Sequence, residues 1–237
     1  TLTRSNNLWH LIGNSDVSDK ADLAEWVPYS NAFPEPGKLV SIDENGRFTQ
    51  ASSPYDPKLA GIISTNPNIT IGPQTSTSVR LTLSGRIPAI ITTISGNITS
   101  GDQITSSPIS GIGMKPEKNG PTVGKALERF TPNTNCPAVS DIKTIPWPAD
   151  SGTNQNKPCF KILVSSLDEQ TVNILTQVYG YTSSDHIYIG KVMVLANLSW
   201  SQSSDFITSL DSVSISYTNE LESVTLTADI KSLSQIS

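Results

Sequence analysis

The fold class of this 237-residue chain is decided by the stretch Val79-Arg80-Leu81-Thr82-Leu83-Ser84. Three apolar residues alternate here with three polar ones, and a period of two predicts a β-strand with one buried face. We therefore expect Val79, Leu81 and Leu83 to share the side that faces the core. Gly85 and Pro88 punctuate the run, which continues in the apolar residues 90–94.

Short apolar runs separated by turn residues recur along the rest of the chain. They lie at 38–42, 47–50, 59–64, 104–106, 109–115, 123–128, 160–164, 172–178 and 187–198. The first two runs are separated by a segment that contains Asn45-Gly46, a strong signal for a short hairpin. Strands of about five residues with turns at this rhythm are typical of a β-sandwich or a β-barrel.

The composition supports the same fold class. Charged residues make up 16% of the chain, and Ser and Thr make up about a quarter of it, whereas about a quarter of an average soluble domain is charged. A coiled-coil rod or a helical bundle would be rich in Ala, Glu, Lys and Leu. The sequence therefore predicts an all-β protein: a compact barrel-like or sandwich domain of short strands with an inserted loop region and a C-terminal β-hairpin extension.

Changes in composition divide the chain into three parts. We expect an N-terminal arm at 1–20, a β-domain at 21–200 and a C-terminal β extension at 201–237. Within the β-domain, 131–186 is interpreted as an insertion of loops decorated with short strands. Alternating apolar residues in the extension predict a hairpin around Thr218-Asn219-Glu220. The alternative is a helix with an apolar seam through Leu210, Val213, Tyr217, Leu221 and Val224.

Charge and hydropathy exclude two classes of partner. The net charge is −5 and Lys and Arg are not clustered, so we expect no binding to nucleic acid. The longest apolar run, at 187–198, is interrupted by Gly190 and Lys191, so we expect no membrane span. The first residues lack a starting Met and do not form a signal peptide, which indicates a processed product or a segment of a longer protein.

The two cysteines are Cys136 and Cys159, and the sequence leaves two states open for them. They form either a disulfide, which would close a loop of about two dozen residues, or a pair of buried thiols. A zinc site is not expected, because only His10 and His186 could join them and the spacing of four ligands is absent. We expect no cofactor, since no phosphate-binding loop or dinucleotide fingerprint is present.

Asp22 and Glu25 are the best candidates for acid–base chemistry, with Asp19 nearby. Paired carboxylates can divide the roles of acid and base when burial beside an apolar side chain such as Trp26 raises the pKa of one of them. The alternative is that they cap or brace a turn. A further hypothesis is a nucleophilic serine, Ser106 or Ser107, that is activated by Lys115. The alternative is that these serines belong to a polar β-turn.

Several ordered motifs resemble a β-rich domain of fibrous surface proteins. They are Asp22-Leu23-Ala24-Glu25-Trp26, Pro36-Gly37, Leu39-Val40-Ser41-Ile42-Asp43, Leu59-Ala60-Gly61-Ile62-Ile63-Ser64-Thr65-Asn66-Pro67, Leu83-Ser84-Gly85-Arg86-Ile87-Pro88, Ser100-Gly101-Asp102-Gln103-Ile104-Thr105, Gly111-Ile112-Gly113-Met114-Lys115 and Val123-Gly124-Lys125-Ala126-Leu127-Glu128. This domain occurs in phage tail-fibre and neck-appendage proteins and in bacterial fibre-like surface proteins. Its phage members are similar to the peptidase G2 intramolecular-chaperone domain, which trimerises a fibre and then cuts itself off.

The resemblance implies a location outside the cell, at a cell surface or on a virion appendage. In the phage members self-cleavage is assigned to acidic residues, and the residues that match that motif are Asp22 and Glu25. This chain departs from the aromatic-rich form of the motif, with Leu23 and Trp26-Val27, and it carries the insertion at 131–186.

The resemblance and the composition together give three functional hypotheses. The leading one is a non-catalytic assembly module of an extracellular appendage that associates with copies of itself through exposed strands, as a trimer or a strand-exchanged polymer. The second is a single-turnover, self-cleaving chaperone that uses Asp22 and Glu25. The third is a head that binds a cell-surface glycan through aromatic side chains, namely Trp9, Trp26, Trp147, Trp200 or Tyr181.

Overall fold

The computed structural model describes residues 2–5, 8–11, 21–30, 32–133, 135–145, 159–201, 213–214 and 227–228. The strands in these residues are β1 (Leu2–Ser5), β2 (Leu8–Leu11), β3 (Ala21–Pro28), β4 (Leu39–Ile42), β5 (Phe48–Gln50), β6 (Leu59–Ile62), β7 (Ile69–Ile71), β8 (Ser78–Thr92), β9 (Gln103–Ser106), β10 (Gly113–Met114), β11 (Gly120–Ala126), β12 (Ala138–Val139), β13 (Cys159–Leu163), β14 (His186–Ser201), β15 (Val213–Ser214) and β16 (Thr227–Ala228). One α-helix, α1 (Glu169–Val178), and short 3-10 helices at Ile142–Thr144 and Val164–Ser166 complete the described elements. The prediction of an all-β fold is confirmed.

Most strands belong to one large mixed sheet in the order β12-β13-β14-β11-β9-β10-β8-β3-β7. The long strands β8 and β14 also pair directly, from Gly85 opposite Ala196 to Thr92 opposite Ile189. This extra pairing closes β14, β11, β9, β10 and β8 into a ring, which agrees with the barrel-like form expected from the sequence. A smaller antiparallel sheet, β5-β4-β6, packs beside the ring.

Buried apolar side chains in the described residues form three clusters, and the first is filled from the ring and the small sheet. Its members are buried residues of β4, β6, β8, β9, β11 and β14 and the segments between them: Leu39, Ala51, Leu59, Ile62, Ile87, Ala89, Ile91, Ile98, Ile104, Val123, Ala126, Phe130, Val192 and Val194. Gly190 on β14 makes room for this core, because a Cβ there would lie 2.2 Å from the ring of Phe130.

Helix α1 corrects the interpretation of 172–178 as a strand. Its N-terminus is capped by Asp168, whose carboxylate accepts hydrogen bonds from the backbone N–H and the hydroxyl of Thr171. Thr171 and Leu175 lie one turn apart and are buried. The β-branched residues of this stretch favour a strand. The helix cap at Asp168 and the helical spacing of the buried residues have the larger effect and stabilise a helix. Within the same insertion, the strand expected at 160–164 is present as β13.

The alternation expected at 79–84 holds for only part of the run. Val79 and Leu81 are buried, but Leu83 is 42% exposed. The prediction that Leu83 faces the core is therefore wrong. The register between β3 and β8 shifts between Leu23 and Ala24, because Ala24 lies opposite Thr82 and Leu23 opposite Ser84. Leu83 is thus the extra residue of a β-bulge, and beyond a bulge the two faces of a strand exchange. Gly85 and Pro88 lie within the continuous strand β8.

The hairpin predicted at Asn45-Gly46 is confirmed. Strands β4 and β5 pair antiparallel with Ile42 opposite Phe48. Gly46 has a φ of 71°, a left-handed conformation that glycine adopts without strain. The carboxylate of Asp43 accepts hydrogen bonds from the backbone N–H groups of Asn45 and Arg47, which fixes the turn.

The described parts of the two chain ends are also paired strands. In the expected N-terminal arm, β1 pairs antiparallel with β2. In the expected C-terminal extension, β15 pairs antiparallel with β16, with Val213 opposite Ala228. The turn predicted around 218–220 lies outside the described residues. No helix in the described part of the chain is long and apolar enough to cross a membrane.

Candidate functional site

Strand β3 carries Asp22 and Glu25 and lies next to the last strand of the large sheet. It pairs antiparallel with β8 along its full length and parallel with β7, where Leu23 lies opposite Ile69 and Glu25 opposite Ile71. The turn considered for these carboxylates is absent, because Ala21–Pro28 form an eight-residue strand. Both acidic residues therefore lie on the second strand from one edge of the large sheet.

Asp22 is a buried carboxylate that joins neighbouring elements. One of its side-chain oxygens, Oδ2, accepts a 2.7 Å hydrogen bond from the hydroxyl of Ser64 and a 3.0 Å hydrogen bond from the hydroxyl of Thr82. Its backbone carbonyl accepts a further bond from the N–H of Asn68, just before β7. The residue is only 7% exposed. These contacts give Asp22 a bracing role between β3, β8 and the segment that leads into β7.

Glu25 lies away from this cluster of hydroxyl groups. Side chains three residues apart in an extended strand leave opposite faces of the sheet, so Asp22 and Glu25 point to different sides of β3. Among the described residues, no hydrogen bond joins the two carboxylates. The structure therefore does not gather them into one acid–base pair, the arrangement that a catalytic role for both residues needs.

The open edge beside them is β7, the last strand in the order of the large sheet. Ile69 is 42% exposed and Ile71 is 45% exposed. Pro67 and Pro73 flank the strand, and residues 59–79 contain no Asp, Glu, Lys, Arg or His. An exposed edge of apolar residues without charges is a template for pairing with another strand.

The cysteines form a disulfide far along the chain from this edge. Cys136 and Cys159 are joined, with their Cα atoms 5.2 Å apart. The bond ties the segment before β12 to the first residue of β13, and these two strands pair in parallel. Of the two states that the sequence left open, the structure shows the disulfide.

The serine–lysine arrangement does not form. Ser106 and Ser107 are fully buried, and their hydroxyls bond to the backbone of Asp56 and Ile109. Lys115 instead lies 3.1 Å from a carboxylate oxygen of Asp102. Both serines therefore have a structural role, as expected if they belong to a polar turn.

The carboxylate of Asp102 is stabilised in its charged form. Burial raises its pKa, but hydrogen bonds from the backbone and hydroxyl of Thr99 and the contact with Lys115 outweigh burial and leave the pKa lowered. Asp102 also accepts both Thr99 bonds at the turn before β9. The pair therefore braces a turn at the rim of the ring.

The aromatic residues named for glycan binding lie on different elements in the described part of the chain. Trp26 lies on β3, where the guanidinium of Arg80 stacks over its ring at 5.6 Å. Trp200 lies on β14 and is 61% exposed. Tyr181 follows α1 and donates its hydroxyl to the carbonyl of Ile94. Trp147 lies outside the described residues, as does the side chain of Trp9.

The sequence predicts exposed strands but does not identify β7 as the open edge of the sheet. The available signal was the long uncharged stretch at 59–79, in which prolines flank the segment Ile69-Thr70-Ile71. Comparison of the chain with protein-family models, with curated proteins and with solved structures finds no match.

Proposed function

We propose that this protein is a non-catalytic assembly module that associates with a second copy of itself by pairing the β7 edges. The observation that carries the proposal is the exposed, uncharged edge formed by Ile69, Thr70 and Ile71 at the end of the large sheet. Edges of this kind are normally protected by charges or by a covering element. Two equal edges related by a two-fold axis pair as antiparallel strands and extend the sheet from one copy into the next.

The absence of charged residues at the β7 edge supports a second copy of the chain as the partner. The whole chain carries a net charge of −5, which disfavours contact between equal molecules, but the β7 edge itself carries no charge. The nearest carboxylate on the adjacent strand is Glu25. In the paired sheet, the Glu25 residues of the two copies would be three strand spacings apart, about 14 Å. Charges at that distance are largely screened, since the Debye length is about 10 Å at 0.1 M salt.

The flanking prolines select the register of the pairing. Pro67 and Pro73 lie three residues on either side of Thr70 and lack the N–H group that a sheet partner requires. Only the register with Thr70 opposite Thr70 pairs all residues of β7 and leaves the prolines outside.

The pairing is expected to be weak and reversible. The short strands form about two to four hydrogen bonds, each worth about 1 kcal/mol. Exposed isoleucine side chains add apolar burial, and the cost of association offsets much of both. We therefore expect a dissociation constant between about 10 µM and 1 mM.

The disulfide supports a location outside the cell in this proposal. Cysteine pairs persist in oxidising compartments and are kept reduced in most cytosolic proteins. A surface appendage, which the resemblance to fibre proteins implies, would also present many copies of the chain at high local concentration. High local concentration allows weak edge contacts to act together.

The experiment is sedimentation of the purified chain over a range of concentrations, with the double substitution Ile69→Lys and Ile71→Lys. We expect the mass of the unmodified chain to rise with concentration and the double variant to stay monomeric, because charges at the edge oppose pairing. Ile42→Lys is the matched control, since Ile42 is 40% exposed on the small sheet and is expected to leave association unchanged. Equal association of all variants would contradict the proposal.

A further inference from the structure

A pocket of about 550 Å³ lies where the segment after α1 meets the start of β14. Three of the six tyrosines of the chain line it, Tyr179, Tyr181 and Tyr188, together with Asp185 and His186. The volume is within the range of sites for small ligands. None of these residues takes part in the proposed β7 contact.

The turn that follows α1 places Tyr179 and Tyr181 at this pocket. Gly180 lies between them with a φ of 72°, the left-handed conformation in which many helices end. The backbone N–H groups of Tyr179 and Tyr181 both donate to the carbonyl of Leu175 in the last turn of the helix. The backbone positions of the two tyrosines are therefore fixed by the end of the helix.

The hydroxyl groups of these two tyrosines are bonded within the protein. Tyr179 donates to the sulfur of Met114 at 3.6 Å, and Tyr181 donates to the carbonyl of Ile94 at 3.2 Å. Burial raises the pKa of both hydroxyls, and the negative charge of Glu117 adds to the shift. Both side chains therefore stay neutral at physiological pH, and their half-buried rings form part of the pocket wall. The face of such a ring carries a partial negative charge.

Asp185 supplies a full negative charge at the same pocket. Its Oδ2 atom accepts hydrogen bonds from the backbone N–H and the hydroxyl of Thr182, whereas its Oδ1 atom has no hydrogen bond within the described part of the chain. The bonds from Thr182 hold the pKa of Asp185 below its usual range, and nearby His186 contributes to the shift. Among the described residues that line the pocket, none is Lys or Arg. The pocket thus combines aromatic rings with an ionised carboxylate that has no ion pair.

We propose that this pocket binds a small quaternary ammonium ion of the size of choline. The methyl groups of the ion lie against the rings of Tyr179 and Tyr181, because the face of an aromatic ring attracts a cation. Its positive charge lies near the carboxylate of Asp185. A primary ammonium ion holds its water more strongly and loses more on entering such a site, and a neutral molecule of the same shape gains nothing from the carboxylate. The site therefore selects for charge and methyl groups together.

The free cation is the expected ligand, rather than the same group attached to a phosphate. A phosphate group is bound in proteins chiefly by Arg, by Lys or by the N–H groups at a helix N-terminus. The described lining residues include no Lys or Arg, and the pocket lies at the other end of α1. A phosphate would also be repelled by Asp185.

Calorimetric titration of the purified chain with choline chloride tests the proposal. Two comparison compounds separate its two requirements, since 3,3-dimethyl-1-butanol has the shape of choline without the charge and ethanolamine has the charge without the methyl groups. We expect a dissociation constant of about 1 mM for choline. Binding of both comparison compounds and of phosphocholine should be weaker by about fivefold or more.

Two variants with matched controls assign the binding to these residues. Tyr181→Leu and Asp185→Asn should each weaken choline binding by about fivefold or more. Tyr29→Leu is the control for the first, because Tyr29 is also half-buried and lies outside the pocket. Asp43→Asn is the control for the second, because Asp43 also accepts backbone hydrogen bonds in a turn. Both controls should bind choline as the unmodified chain does.

Amide chemical shifts of the unmodified chain make the test independent of the folding of the variants. Choline should shift the signals of Gly180 and Asp185 and leave those of β7 unchanged. Equal binding of choline and either comparison compound, equal binding of phosphocholine, unaltered binding by a folded Tyr181→Leu variant, or absence of shifts at these residues would overturn the proposal.

Discussion

Removal of the Cys136–Cys159 disulfide should lower the free energy of unfolding by about 3.5 kcal/mol. The two cysteines are 23 residues apart, and the entropy of closing a loop of that length in the unfolded chain gives this value at 25 °C. For a domain of this size the loss corresponds to a fall in melting temperature of about 7–14 °C.

The variant is Cys136→Ala with Cys159→Ala, compared with the unmodified chain before and after reduction. Urea unfolding followed by circular dichroism gives the free energy of unfolding by linear extrapolation. Cys136 is 2% exposed, so the alanine variant also loses some packing, whereas reduction removes only the cross-link. A loss below about 1 kcal/mol in both comparisons would refute the loop-closure reasoning.

Further substitutions test other parts of the account. Gly190→Ala should destabilise the chain by about 1–3 kcal/mol in urea unfolding, because its Cβ overlaps the Phe130 ring; an unchanged midpoint would contradict this. Asp22→Ala should cost about 1–3 kcal/mol, since it leaves two buried hydroxyls without their acceptor, and unaltered stability would remove its bracing role. Asp168→Ala should cost about 1 kcal/mol as a lost helix cap. That contribution should also fade in the unmodified chain as the pH falls through the lowered pKa of Asp168, because a carboxylate whose pKa is lower when folded stabilises only while it is ionised. The purified chain should remain uncut on a gel during prolonged incubation, and a spontaneous cut that Glu25→Gln abolishes would favour the self-cleaving hypothesis.

Local signals predicted much of the fold. Asn45-Gly46 gave the hairpin because glycine reaches the left-handed backbone that the turn needs. The apolar runs at 59–64, 104–106, 123–128, 160–164 and 187–198 became strands because burial and β-propensity agreed there. Each of these features depends on neighbours in the sequence, which is the range over which periodicity carries information.

Features set by distant contacts could not be predicted in the same way. The exposure of Leu83 follows from a bulge opposite β3, a property of the pairing of two strands. The closure of the ring depends on the contact between β8 and β14, about a hundred residues apart.

The direct test of the assembly account is oxidation of the Thr70→Cys variant at a concentration where the chain associates. In the register centred on residue 70, the two Cα atoms lie about 4.5–5.5 Å apart, within the range of a disulfide. Ile69→Cys is the control, because residue 69 lies opposite residue 71 of the other copy and the two residues 69 are about 8 Å apart, beyond that range. We predict a covalent dimer for Thr70→Cys and little for Ile69→Cys; equal yields for the two variants, or no dimer from either, would contradict pairing through β7.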